Sequence, residues 1–194
     1  KLTKVHSSTV DAPLDIYDLD TPNKTLADIN TYPITVQGTG AIDIEIAAAT
    51  ELSAEAPDDL INVLAKNFNR DKFEINGKTI SVSIRKITSG EVLTYMTEGD
   101  YKPDVYIPSS YAWGEMLKAK GVGTIKLTDR MAGNTAGILM EEQTHKDFIE
   151  KYHEVTVDKV LEASLAGDLT FAYTNPYTSS TGLNILATML HSFD

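Results

Sequence analysis

The chain of 194 residues contains no cysteine. That excludes disulfides, thiolate metal sites and a cysteine nucleophile. Basic residues are also scarce: 17 Lys and Arg face 28 Asp and Glu, giving a net charge of −11, and no basic run occurs. A nucleic-acid surface needs clustered Lys and Arg to neutralise phosphates, so that class of partner is excluded. No stretch of about 18 apolar residues exists, so no segment has the pattern of a membrane-spanning helix. The chain begins with Lys1 and shows no signal-peptide pattern, which reads as a processed or excised piece. GxxxxGK[ST] and GxSxG are absent, and Gly121-Val-Gly123 lacks the other glycines of a dinucleotide loop. His6, His145, His153 and His191 are scattered rather than grouped for metal ligation. No cofactor, metal or catalytic residue is expected. What is present is the composition of an ordinary folded domain, 42% hydrophobic and 23% charged, with an acidic surface that serves solubility.

Residues 1–40 have little periodicity. Asp11, Pro13, Asp15, Asp18, Asp20, Pro22 and Asn23 mark them as an N-terminal extension, with a possible short strand at 32–36 and a turn at Gly38 and Gly40. From Ala41 the pattern becomes regular. An alternating run over 41–49 predicts a strand entering a buried sheet. Pro57, Asp58 and Asp59 open a helix carrying Leu60, Ile61, Leu64 and Phe68. Asn76-Gly77 predicts a tight turn before a β-branched strand over 79–84. Ser89 caps a helix ended by Gly99, a strand follows over 104–107, and Ser110 caps a helix with Trp113, Met116 and Leu117. Beyond a looser stretch come a strand over 136–140 and helices bearing Phe148, Ile149 and Tyr152, then Val157, Val160, Leu161 and Leu165 behind a Thr156 cap. A last strand over 170–173 leads to a helix opened by Ser179 or Ser180. Alternating strands and helices predict an α/β fold with a mainly parallel sheet between two helical layers.

In such a sheet a ligand sits beyond the carboxyl ends of the strands, where helix N-termini converge. Four strand-to-helix turns there are rich in small hydroxyls. They are Thr50 to Ser53; Thr88, Ser89 and Gly90; Ser109, Ser110 and Tyr111; and the run 174–182, which includes Thr178, Ser179, Ser180 and Thr181. Free N–H groups and hydroxyls suit an anion or a small polar solute. Ser and Thr are equally the preferred helix caps, so one such turn reads first as a cap, while four on one edge read as a shared hollow. Trp113 and Tyr111 could line it, though an aromatic on a short helix also reads as core.

The run TNPYTSSTG at 174–182, within 171–186, resembles the turn that opens the second lobe of bacterial class II extracellular solute-binding proteins. It is closest to a branch often joined to a von Willebrand factor A domain. The likeness extends through AAATELS at 47–53, ITSGE at 87–91 and PSSYAW at 108–113, and covers residues 41–194. It implies a class II periplasmic-binding-protein-like protein that captures a small polar or anionic ligand between two lobes, outside the cytoplasm or at the cell surface. It implies delivery to a membrane ABC transporter, and no enzymatic activity. By the same likeness, first-lobe contacts fall on Thr50, Ser53, Ser89, Gly90, Ser109 and Ser110, and second-lobe contacts on Thr178, Ser179, Ser180 and Thr181. Residues 41–169 would form the first lobe and 170–194 the incomplete start of the second. The chain would then be truncated, its last strand and helix packing on the first lobe or a neighbouring molecule. A cell-surface adhesion module on the same fold is the alternative, although these residues carry no DxSxS metal-adhesion signature.

Overall fold

A computed structural model of the chain describes residues 26–53, 59–99, 101–133 and 135–191. The acidic leader up to residue 25, and Pro57 and Asp58 at the expected helix start, lie outside them. Residues 1–31 and 32–194 form two separate units. The described part of the first unit is one 3-10 turn, Ile29–Thr31, where the Asp28 carboxylate accepts from the Asn30 backbone N–H at 2.9 Å.

The second unit is mixed α/β, with a mainly parallel sheet and six helices among the described residues. Its centre is β2 (Ile42–Ala48), flanked in parallel by β4 (Lys78–Lys86) and β5 (Val105–Ile107). The short strand β1 (Ile34–Val36) pairs antiparallel with the outer edge of β4, so residues 34–36 join the sheet from within the expected extension. The two-residue strand β3 (Glu74–Ile75) folds back on β4 through Asn76-Gly77. Both turn residues have positive φ, 51° and 71°, the backbone that an Asn-Gly hairpin turn favours.

Strand alternation gives the sheet two different faces. Ile80, Val82 and Ile84 of β4 point to one side with Ile44, Ile46 and Ala48 of β2. All but Ile80 share a core cluster with Ile61, Ala65 and Phe68 of α1 (Leu60–Asp71), whose apolar residues recur at helical spacing. The other face carries Asp43, Glu45, Ser81, Ser83 and Arg85. There Asp43 accepts from the Ser81 and Ser83 hydroxyls, and the Arg85 guanidinium pairs with Glu45 at 2.6 Å. Tyr101 also donates to Glu45, and Arg85 lies over the Tyr101 ring. The helix α2 (Ser89–Glu98) closes this side through Tyr95, whose ring meets Tyr32 and Tyr101 edge to face.

β1 is too short to cover the whole outer edge of β4, and a side chain completes the ladder. Asn69 of α1 donates from Nδ2 to the Val82 carbonyl at 2.9 Å and accepts the Val82 N–H on Oδ1 at 2.8 Å. Its amide therefore does the work of a strand residue.

The remaining helices are α3 (Tyr111–Ala119), α4 (Glu142–Tyr152), α5 (Val157–Ala166) and α6 (Ser180–His191). Phe148, Tyr152, Val160 and Ala163 form a second small core between α4 and α5. The strands expected over 136–140 and 170–173 do not form. Ile138, Met140, Leu169 and Phe171 instead lay their side chains on this second core without joining a ladder. A short apolar run reports only that its side chains are buried, and here two helices do the burying. The cap expected at Ser89 moves as well: Thr88 is the N-cap of α2, while Ser110 and Thr156 cap α3 and α5 as expected.

Replacing Asn69 by leucine should leave both Val82 backbone groups unpaired and cost about 1–3 kcal/mol, read as a lower urea midpoint. Burial raises the affinity of Glu45 for a proton, but the hydrogen bonds from Arg85 and Tyr101 outweigh it and hold the carboxyl below its ordinary 4.5. A group depressed in the folded state stabilises above its unfolded pKa and loses that contribution as pH falls through the folded value. Unfolding followed from pH 6 to pH 3 should therefore show a shallower acid-side loss in Glu45→Gln than in the wild type.

Candidate functional site

The carboxyl ends of β2, β4 and β5 lie side by side because the three strands are parallel neighbours. The chain leaves β2 toward β4 on one flank, then crosses back to β5 on the other. This reversal makes the edge a topological switch point, the place where open α/β sheets form a crevice. The turns start in register: the Ala49 N–H donates to the Ile107 carbonyl at 3.0 Å and the Ile87 N–H to the Ala48 carbonyl at 3.2 Å.

Ser109 is the hub. Its backbone N–H donates to Ser89 Oγ at 3.2 Å, and the two hydroxyls stand 3.4 Å apart. Its hydroxyl is within donating distance of two acceptors, Ser180 Oγ at 2.6 Å and Glu51 Oε1 at 3.3 Å, and its single proton serves one at a time. Ser180 also accepts from the indole N–H of Trp113 at 2.7 Å. That N–H can only donate, so the buried indole requires an oxygen at this point. Four turns widely separated in sequence therefore meet through the hydroxyls of Ser89, Ser109 and Ser180 and the carboxylate of Glu51.

The run 174–182 is seated on this edge by its backbone. The Gly90 N–H, in the first turn of α2, donates to the Thr178 carbonyl at 3.0 Å. A Cβ on Gly90 would overlap the Tyr177 carbonyl oxygen, and one on Gly182 would overlap that of Thr174, so both glycines are required by close approach. The start of α6 thus packs against the starts of α2 and α3, although no strand precedes it.

The expected site residues divide by exposure. Ser53 is fully buried, and its hydroxyl closes its own turn on the Ala48 and Ala49 carbonyls at 3.1 and 2.9 Å. Ser89, Gly90 and Ser180 are buried in the hub. Thr50, Ser109, Ser110, Thr178, Ser179 and Thr181 are half-buried, and Tyr111 is 82% exposed. Ser110 spends its oxygen on the Ala112 N–H at 3.4 Å, a cap. Trp113 is core, 2% exposed. Two acidic residues at this edge were not among the expected contacts. Glu51 reaches Thr50 and Ser109, and Glu91 binds the Thr88 hydroxyl and accepts from Tyr32 at 2.7 Å. That bond and burial hold the Tyr32 phenol well above its ordinary range, burial being the larger cause. The T-x-x-E spacing of Thr88 and Glu91 is a helix-start signal that could have identified both. Among the described residues, no group of three or more His, Cys, Asp or Glu stands together to hold a metal.

The family model described as bacterial extracellular solute-binding protein matches residues 49–192, a span that starts at the first of the four turns and takes in all of them. The chain belongs to this family. No curated protein and no solved structure gives a significant match. In this solute-binding chain, the hub joins the beginning of the matched span to its end.

Trp113 is the sole tryptophan and reports on the seat directly. Gly90→Ala should push residues 177–178 off α2, free the Trp113 N–H from Ser180 and shift indole emission to the red. Ser180→Ala should leave Trp113 a buried donor without an acceptor and cost about 1–3 kcal/mol in denaturant unfolding.

Proposed function

We propose that this chain forms the ligand-capturing edge of an extracytoplasmic solute-binding protein and takes a small polar solute without altering it. One observation supports this above the others: the hydroxyls of Ser89 and Ser180 at two helix starts and the carboxylate of Glu51 in a third turn converge on Ser109 at the switch point of the sheet. Ser53, Ser89, Gly90 and Ser180 build the frame. Thr50, Ser109, Ser110, Tyr111, Thr178, Ser179 and Thr181 are the residues nearest solvent, and they would offer the contacts.

The chemistry of the edge suits binding rather than turnover. A serine nucleophile needs a base within hydrogen-bond reach, and none of the four turns carries a histidine. The neighbours of Ser109 and Ser180 are hydroxyls, an indole and one carboxylate at 3.3 Å. By the family likeness, the captured solute would pass to an ABC-type membrane transporter. The branch joined to von Willebrand factor A domains would place that capture at the cell surface.

Thermal-shift screening with small polar solutes tests the reading, because a ligand that binds only the folded state stabilises it by about 2.7 kcal/mol at 100 times its Kd. At least one solute should raise Tm, and Ser109→Ala should weaken it at least tenfold. A full panel of ions, amines, sugars and amino acids that leaves Tm unmoved at millimolar concentration would sink the proposal.

A further inference from the structure

We infer that Glu51 sets the charge selectivity of this edge, so that the solute it takes carries a positively charged, hydrogen-bond-donating group and is not an oxyanion. This deepens the solute-capture reading and rests on it. Glu51 sits in the turn after the central strand, exposed, and its two oxygens lie within accepting distance of different hydroxyls: Oε2 of Thr50 and Oε1 of Ser109, each at 3.3 Å, Ser109 sharing its proton with Ser180. These are the hydroxyls that an incoming oxyanion would use.

Four N–H donors of the edge are engaged as well. The Gly90 N–H goes to the Thr178 carbonyl, the Ser109 N–H to Ser89, the Ala112 N–H to Ser110 and the Trp113 N–H to Ser180. Neutral donors alone can hold an oxyanion, and many helix N-termini do. A carboxylate at the rim of these donors changes the sign of the site, because an anion arriving there would meet like charge.

A carboxylate has about four acceptor positions, so Glu51 keeps capacity that an ammonium or guanidinium can fill. No basic residue within 49–53, 87–91, 107–112 or 174–182 competes for it; the next one along the chain, Lys86, belongs to β4. The net charge of −11 raises the local concentration of cations and disfavours anions in the same sense. Tyr111 and Tyr177, exposed on two of these turns, add aromatic faces that attract a cation.

The test is calorimetric titration of the wild type and Glu51→Gln with four probes at fixed ionic strength: putrescine, L-arginine, sulfate and inorganic phosphate. The wild type should prefer at least one of the two amine probes over both anions by tenfold or more. Glu51→Gln should lose at least tenfold on that amine and gain on sulfate. Because Glu51 is exposed, the variant should unfold at the wild-type temperature without ligand, which separates lost selectivity from lost fold. Tighter wild-type binding of sulfate or phosphate, or an amine-to-anion ratio unchanged in Glu51→Gln, overturns the inference and leaves solute capture standing. Failure of all four probes on the wild type overturns the inference as well, and solute capture falls with it only if the wider thermal-shift panel is also silent.

Discussion

Parallel pairing on both flanks of β2 is the constraint from which the rest of the structure follows. Parallel neighbours cannot be joined by a hairpin, so each connection must travel the length of the sheet again and bury a face on the way. All three strands therefore end at the same edge, and each end is followed by a turn and a helix start. The reversal from β4 back to β5 opens that edge, and nothing in its geometry requires chemistry there. The chain supplies small hydroxyls, one hub serine and one carboxylate. A longer side chain at Ser109 could not stand within hydrogen-bond distance of Ser89, Ser180 and Glu51 at once.

The two faces of the sheet solve different problems. The α1 face is apolar and gains from burial, at roughly 25 cal/mol per Å² removed from water. The opposite face is polar and must satisfy every group it buries. Asp43 with two serines, and Arg85 with Glu45, Tyr101 and the Tyr32 carbonyl, show how it does so. Such networks contribute little net stability when complete and cost much when a member is lost, so they specify register more than they strengthen the fold. A one-residue slip of β4 would put Ile80, Val82 and Ile84 against Asp43 and Glu45, so both faces enforce the same alignment.

Much of this was legible from residues alone, and the failures have physical causes. The strands over 41–49, 79–84 and 104–107 declared themselves by alternation and β-branching, and the Asn76-Gly77 turn by its dipeptide. Caps at Ser110 and Thr156 followed from residue type, but Thr88 and Ser89 are both good caps, and only geometry shows that Ser89 turns to Ser109. The runs at 136–140 and 170–173 look like strands because burial of their alternate residues is real; what buries them is α4 and α5, and no local pattern names a partner. The convergence of the first three turns followed from topology once the strands were known to be parallel; the fourth, which no strand precedes, is seated by its contacts to Gly90, Ser109 and Trp113. Glu51 was overlooked because a lone acidic residue in a turn reads as solvated surface, and its partner Ser109 lies 58 residues away in sequence.

Glu51 also bears on how the donors of such an edge are satisfied. Helix starts leave N–H groups and partial positive charge directed at the crevice, and these are met by water, by a ligand or by the protein's own atoms. A carboxylate close to the N-terminus of α3 faces the partial positive charge there, and on the proposed reading the same carboxylate disfavours a second anion. Seating residues 174–182 on α2 works in the same direction, since the Thr178 carbonyl takes the Gly90 donor that a free oxyanion would otherwise bind. The second of these requires glycine at the contact, because a Cβ on Gly90 would overlap the Tyr177 carbonyl oxygen. On the proposed reading, a site that meets part of its own donors keeps acceptor capacity at Glu51, and the polarity of the solute would follow from that charge rather than from the number of hydroxyls around it.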